Sequence, residues 1–282
     1  MIVLEESDWR ERARRHEERV RPWVEPRLER RRRGERHPVD DFMFEYYSCR
    51  PGQLLRWHPG SGVLLTGDVS AWKDVRGYVV DDDGARVDSS AVNAELLGNI
   101  DRLLHSTARR EAQYGCFGRH EWAMVHGMSQ EEVRHAHWPL RLAPAQIAEV
   151  VETAPLRCTH FDAFRFYSDA ARPLNVVQPT RATQVDLEQP GCLHATMDLY
   201  KWAFRAYPVV SADLVADCFE LAREIREVDM RVAPYDLSDL DVEPIRIESA
   251  AGRAEFVRYQ RDFAERGAIM RERVLRSLEA CR

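Results

Sequence analysis

The chain has 282 residues and a formal net charge of −6, a size that suits one large domain or two small ones. Hydrophobic residues make up 44% of it and charged residues 31%, which is typical of a folded globular protein and excludes a disordered one. No apolar run reaches the roughly 18 residues of a membrane helix, and the N-terminus does not resemble a cleavable signal. We therefore expect a cytoplasmic protein with no membrane partner.

Residues 1–36 are predicted to form a basic N-terminal helical arm. Between Arg10 and Arg36 the chain has twelve Arg and six Glu, a surplus of six positive charges. The favoured interpretation is a solvated helix with Glu–Arg pairs at helical spacing. The alternative is an arm (residues 10–36) that binds DNA phosphates. Pro22 and Pro26 predict a break of the segment into at least two pieces.

Residues 37–282 are predicted to form a single mainly helical domain with a small antiparallel β insertion around residues 60–90. Gly60–Gly67 and Gly77–Val80 have the composition of strands, and Asp81–Gly84 predicts a tight turn after the second of them. The glycine pair of the first stretch does not open a helix. It therefore does not match a nucleotide-cofactor motif.

Apolar residues at helical spacing predict helices along the rest of the chain. One helix is expected after Ser90, and a second over Thr107–Val125, although Gly115 and Gly118 weaken it. Further helices are predicted over Ala145–Thr153, over Arg181–Tyr207 with a break at Pro190-Gly191, over Ser211–Arg231 and over Gly252–Arg282. The fold class that follows is mainly α, of the α+β type.

Two Cys-x-His units form the most specific pattern in the chain. Cys158 and His160 make the first unit, and Cys192 and His194 make the second. Two thiols and two imidazoles are the ligand types of a tetrahedral zinc site. Residues i and i+2 of an extended chain point the same way, so such a unit can hold a metal. The alternative is two buried thiols and two hydrogen-bonded histidines.

A second metal hypothesis uses the same two histidines with a carboxylate. His160, His194 and Asp162 are the ligand set of a non-haem Fe²⁺ site with open positions. Both hypotheses share His160 and His194. The suspected cofactor is therefore a divalent metal, zinc or iron, and the sequence leaves the choice open.

The segment from Cys116 to Trp122 is a further site candidate. Gly115 and Gly118 let the backbone bend, and the segment carries His120 as a substrate-binding candidate and Glu121 as a catalytic candidate. Adjacent residues face different directions on a helix, so the two could serve as ligand and base. An ordinary histidine beside a surface glutamate is the favoured alternative.

The spacing of His194, Asp198 and Lys201 places them on one helix face. Lysine occurs elsewhere only at Lys73, because the chain uses arginine almost everywhere. A desolvated lysine can lose its proton and an arginine effectively cannot, so Asp198 and Lys201 are catalytic candidates. The alternative is an ordinary ion pair within the helix.

Polar residues and prolines between residues 165 and 189 are typical of a stiff binding loop, and residues 231–236 repeat the pattern. The alternative is plain loop structure with local capping. The substrate-binding candidates in these two stretches are Arg165, Asn175, Arg181, Arg231 and Tyr235.

Five segments resemble a family of actinobacterial proteins that commonly carry the label 3-methyladenine DNA glycosylase. They are residues 115–125, 157–166, 188–194, 197–202 and 229–237, and the resemblance extends over nearly the whole chain. It implies a base-excision enzyme that removes alkylated purines such as 3-methyladenine. Such enzymes stack a flipped base on aromatic rings and use an Asp or a Lys in catalysis.

The leading functional hypothesis is a metal-dependent enzyme that acts on a small organic or nucleobase-like substrate. Its pocket is expected from residues 157–201, with help from residues 116–121 and 229–236. The DNA glycosylase that the resemblance implies is the alternative, and a non-catalytic protein with a structural zinc site is the third possibility.

Overall fold

The structure, a computed structural model, describes residues 1–37 and 40–281. It is mainly α-helical with one small sheet, which confirms the predicted fold class. The strands of the described residues are β1 Ile2–Leu4, β2 Val63–Leu65, β3 Tyr78–Asp81 and β4 Gly84–Val87. Their helices are α1 Glu6–Arg33, α2 Phe42–Glu45, α3 Pro51–Leu55, α4 Ala94–Ala108, α5 Arg119–Ala123, α6 Pro144–Glu152, α7 Phe161–Phe164, α8 Gln184–Leu187, α9 Leu193–Arg205, α10 Ala212–Val232 and α11 Ala250–Glu279.

The chain divides into two compact units. The first unit comprises Met1–His105, Met197–Arg223 and Ile269–Arg282, and the second comprises Ser106–Thr196 and Glu224–Ala268. Division into an arm and one further domain stays a prediction. In the described part of the chain, no helix combines the length and the apolar character that crossing a membrane requires.

The sheet of the first unit has the strand order β1-β2-β4-β3. Strands β3 and β4 are antiparallel and meet at Asp81 opposite Gly84, which confirms the predicted tight turn. Strand β1 pairs in parallel with β2, with Ile2 opposite Val63, so the sheet is mixed. The sequence does not predict this strand, because three apolar residues before a helix give no alternation to recognise.

Helix α1 is continuous through both of its prolines, so the predicted break is wrong. Pro22 and Pro26 are exposed and lie four residues apart, on one side of the helix. The carbonyl groups that lose a partner there can bind water instead. The opposite side buries Val20 and Val24 completely, and this burial stabilises the helix across the defect.

The predicted helix over Thr107–Val125 is also wrong. Helix α4 ends at Ala108, and only the five residues of α5 are helical in the remainder. Phe117 and Gly118 have φ angles of 50° and 71°, in the left-handed region that no α-helix tolerates. A Cβ atom at Gly118 would lie 2.6 Å from Val232, so the glycine also allows a close approach within the second unit.

The other predicted helices are confirmed within a few residues of their ends. The break at Pro190-Gly191 separates α8 from α9, and Ser211 receives a 3.3 Å hydrogen bond from the amide of Leu214 at the start of α10. The segment Leu156–Tyr167, for which sequence left strand and helix open, is extended up to His160 and then forms the short helix α7.

Candidate functional site

Helix α5 places His120 and Glu121 in the interior of the second unit. Its Trp122 is fully buried and donates from Nε1 to the carbonyl of Val232 at 2.7 Å. Its Arg119 donates to the carbonyl of Ala154 at 2.7 Å. These two anchors fix both ends of a helix that is too short to be stable alone.

Four potential metal ligands converge at this point. They are His120, Glu121, His194 and Asp229, and each offers one ligand atom such that the four atoms all lie within 4.8 Å of one another. Both histidines and Asp229 are buried, and Asp229 has no exposed surface. Helix α5 supplies the first two residues, α9 supplies His194 and α10 supplies Asp229.

The distances within this cluster suit ligands that share one ion. His120 Nε2 lies 3.0 Å from Asp229 Oδ1 and 3.6 Å from Glu121 Oε1. His194 Nε2 lies 3.9 Å from Asp229 Oδ2. Two ligand atoms each about 2.1 Å from a metal are about 3.0 Å apart at a right angle and about 4.2 Å apart when opposite. The three distances fall within that range.

The charges of the cluster depend strongly on one another. Burial favours a neutral Asp229, but hydrogen bonding and the charges of His120, His194 and Arg226 outweigh it and lower the pKa of the carboxyl group. Burial opposes protonation of His120, yet its contacts with Asp229 and Cys116 raise its pKa well above the usual value. Burial, with the nearby charge of Asp229, raises the pKa of Glu121 to about 7.

Two neighbours orient the cluster from outside it. Arg226 Nη1 donates to Asp229 Oδ2 at 3.0 Å and fixes the plane of that carboxylate. Cys116 Sγ lies 3.5 Å from His120 Nδ1, so the thiol contacts the ring nitrogen that faces away from Asp229. Metal-binding histidines and carboxylates usually have partners of this kind on their far atoms.

A small pocket opens beside His120 and His194. The other residues that line it are Cys116, Gly118, Arg157, Cys158, Thr159, Gln189, Cys192, Leu193, Phe256 and Gln260. A substrate in this pocket would therefore contact the two imidazoles directly.

The structure does not assemble the two Cys-x-His units into one tetrahedral set. Among the described residues, the groups of ligand atoms within 4.8 Å of one another contain neither Cys158 nor Cys192. Burial raises the pKa of the Cys158 thiol to about 11, which disfavours the thiolate that binds metals. The thiols line the pocket instead.

His160 lies next to the cluster, and its Nε2 is 3.3 Å from Glu188 Oε1. Its ring stacks on that of His194, with centroids 5.4 Å apart. The predicted carboxylate partner Asp162 pairs with arginines instead, at 2.7 Å from Arg181 and 3.4 Å from Arg165. Asp162, Arg165 and Arg181 thus form a separate group of charges, and their roles in catalysis and substrate binding stay predictions.

The remaining substrate-binding candidates of the second unit have structural contacts. Asn175 is buried and bonds both the amide and the carbonyl of Cys158. Arg231 bonds Glu255 and the hydroxyl of Tyr259. Tyr235 is buried, and its burial with the nearby charge of Glu121 raises its pKa to about 12. None of the three lines the pocket.

Asp198 and Lys201 belong to the first unit. Both are buried, and Lys201 Nζ donates to Asp198 Oδ2 at 2.5 Å. Lys201 Nζ also lies 4.3 Å from the centre of the Trp202 ring. The two residues form the predicted ion pair within α9, and their catalytic roles stay predictions.

Residues 116–121 and 229–236 are expected beside the pocket from the sequence, with His120 and Glu121 as candidates, but the spacing predicts no metal ligand at Asp229 and no nucleophile at Cys116. Asp229 follows Arg226 by three residues on a helix, and this pattern usually indicates a surface ion pair. Cys116 precedes His120 by four residues in a segment that was predicted to be helical. The available signal was the histidine itself, since a buried imidazole needs partners for both nitrogens.

Comparisons with protein-family models, with curated proteins and with solved structures found no match to this chain.

Proposed function

We propose that the chain is a metal-dependent enzyme that holds one divalent cation, Fe²⁺ or Zn²⁺, at the cluster of His120, Glu121, His194 and Asp229. The observation that carries the proposal is the convergence of four suitable ligand atoms within 4.8 Å in a buried place. Imidazole and carboxylate together are ligands that both ions accept. A divalent cation would also offset the repulsion between the buried Asp229 and the half-buried Glu121.

The arrangement suits catalysis better than a purely structural site. Catalytic metals keep a position open for water or substrate, and the pocket lies directly beside both imidazoles. A cation there would activate water or polarise a substrate atom. We assign His120, His194 and Asp229 as the holding ligands and Glu121 as the proton carrier, because Glu121 is half-buried whereas the other three side chains are buried. The substrate is a small organic or nucleobase-like molecule.

Metal analysis of the purified protein tests the proposal. We expect about one equivalent of Fe²⁺ or Zn²⁺ in the wild-type protein after purification without chelators and under nitrogen. The variant His194→Gln should lose metal affinity by at least about tenfold, since a ligand contributes more than the 10- to 100-fold of an outer-shell partner. Circular dichroism should show an unchanged helical content.

His126→Gln is the matched control. His126 is a buried histidine of the same unit, and its Nε2 contacts Glu152 at 2.8 Å outside the cluster. It should keep the metal content of the wild type. A wild-type protein without stoichiometric metal, or equal losses in both variants, would contradict the proposal.

A second candidate function rests on a different geometry of the same residues. Cys116 Sγ, His120 Nδ1 with Nε2, and Asp229 Oδ1 form a chain of contacts at 3.5 Å and 3.0 Å, which is the order of a thiol, a base and an orienting carboxylate. In this function the sulfur bonds to an electrophilic substrate carbon while His120 takes the thiol proton. His120 then returns that proton to the leaving group.

Alkylation with iodoacetamide separates the two functions. Thiol catalysis predicts that Cys116 in metal-free protein at pH 7 is carboxamidomethylated at least tenfold faster than Cys158 and Cys192, which line the same pocket and serve as internal controls. His120→Gln should abolish that difference. Equal rates at all three thiols would exclude the thiol function and leave the metal proposal unaffected.

A further inference from the structure

The pocket contains a buried hydrogen-bond acceptor that the protein does not use. Gln260 is only 2% exposed and lines the pocket, and its Nε2 donates to the carbonyl of Gly191 at 3.1 Å. This bond fixes which end of the amide carries the oxygen. In the described part of the chain, no donor reaches Gln260 Oε1. A buried acceptor without a partner is costly, so it indicates a missing donor.

The surroundings of this oxygen narrow the kind of molecule that supplies the donor. Thr159 also lines the pocket, and its Oγ1 is a second buried atom without a partner among the described residues. Phe256 lies one turn before Gln260 on α11 and forms an apolar wall. Gln189 offers no further hydrogen-bond acceptor, because its Oε1 already accepts from the amides of Gln113 and Gly191.

We propose that this pocket selects a small molecule with a neutral N–H donor beside a compact apolar body, such as a lactam or an N-heterocycle, and that Gln260 Oε1 accepts the donor hydrogen. The inference deepens the proposed function, since it names the substrate class of the same centre. Gln260 is a specificity residue here. Its amide and the hydroxyl of Thr159 carry no charge, so the part of the ligand that they contact is uncharged.

Two probes that differ in this one donor test the inference. 2-Pyrrolidinone has a lactam N–H, and N-methyl-2-pyrrolidinone replaces it with a methyl group. Ligand-observed NMR titrations should give a 3- to 12-fold lower Kd for 2-pyrrolidinone, which is what one hydrogen bond contributes, about 0.6 to 1.5 kcal/mol. The preference should persist after chelator treatment, so it is measured independently of whether the centre binds metal.

Variants assign the preference to the amide oxygen. In Gln260→Leu the Kd ratio of the two probes should fall to about one, whereas Gln178→Leu, a glutamine of the same unit outside the pocket, should keep the wild-type ratio. A ratio near one in the wild type overturns the inference. So does a ratio that survives in Gln260→Leu, because the added methyl group would then be excluded by size alone. If Gln260→Leu does not fold, Gln260→Met takes its place, because it keeps the length of the side chain and removes the amide oxygen.

Discussion

At the scale of single residues, His120 determines what the centre can do. Its two nitrogens contact different partners, Asp229 and Cys116, and one imidazole cannot serve both proposed functions in the same way. As a metal ligand, His120 binds through Nε2, and its Nδ1–H donates to Cys116 Sγ. As a base it uses Nδ1 toward Cys116 and is oriented by Asp229. The experiment on metal content therefore tests the role of His120 Nε2, and the experiment on thiol alkylation tests the role of His120 Nδ1.

A buried histidine in the first unit makes a separate prediction about pH. Burial, aided by the charge of His16, lowers the pKa of His58 to about 3. The ordinary pKa of histidine is about 6.5. Between pH 6.5 and pH 3, His58 is therefore protonated in the unfolded chain and neutral in the folded chain. The contribution of His58 to the free energy of unfolding is therefore fully present above pH 6.5. It falls with decreasing pH by up to about 1.4 kcal/mol per pH unit.

Urea unfolding at several pH values measures this effect. His58→Phe keeps a ring against Tyr207, whose centroid is 4.8 Å away, and removes the titrating group. Between pH 7 and pH 5 the wild type should lose about 2 kcal/mol more free energy of unfolding than this variant. The exposed His137→Gln is the control and should follow the wild type. Parallel curves for wild type and His58→Phe would show that His58 is not responsible.

At the scale of elements, α1 is part of the fold of the first unit. Trp9 is 5% exposed, meets Trp72 edge to face at 6.3 Å and donates from Nε1 to the carbonyl of Thr66 at 3.0 Å. We expect Trp9→Ala to lower the free energy of unfolding by about 3–5 kcal/mol. Arg12→Ala, on the exposed side of the same helix, should change it by no more than about 0.5 kcal/mol. Equal effects of the two substitutions in thermal unfolding would contradict this role of α1.

Elements with strong periodicity could be predicted from the sequence, and elements shaped by tertiary contacts could not. Helices α9, α10 and α11 show clear apolar periods and turn signals, so their positions followed from sequence. Helix α1 was split wrongly because sequence does not show that Pro22 and Pro26 face solvent. The helix over Thr107–Val125 is predicted wrongly because the positive φ of Phe117 depends on its surroundings in the fold and not on its own side chain.

The centre could be predicted only in part, for a related reason. His194 could be predicted as a site residue because several possible metal ligands lie close to it in the sequence. Asp229 joins the cluster from a helix 35 residues further along the chain, and no spacing rule links it to His120. Cysteines separated from histidines by one residue suggested zinc, but the structure uses these thiols as pocket wall. Ligand convergence is a tertiary property, whereas sequence displays only local spacing.

At the scale of the whole molecule, the question is whether the chain uses its basic helix on DNA. The net charge is −6, and much of the positive charge of α1 is paired within the helix. Arg14 contacts Glu11 and Glu18, and Arg21 contacts Glu17 and Glu25. Arginines held in this way contribute little attraction for phosphates, because the acid partners cancel their field. DNA binding by a glycosylase would therefore depend on those arginines of α1 that have no acidic partner.

Arg31 and Arg32 are exposed and have no acidic partner for their side chains within the described residues. We expect the intact protein to bind duplex DNA only in the non-specific range, with a Kd of about 10⁻⁶ M or weaker at physiological salt, and to release no 3-methyladenine from alkylated DNA. Replacing both arginines by Gln should reduce the slope of log K against log salt by up to about 1.8, since each phosphate contact contributes about 0.9. Arg14→Gln with Arg21→Gln removes the same charge from paired positions and should reduce the slope less. Tight, base-specific binding with release of 3-methyladenine would instead establish the repair enzyme that the sequence resemblance implies. The cluster of His120, Glu121, His194 and Asp229 would then serve that chemistry or the fold.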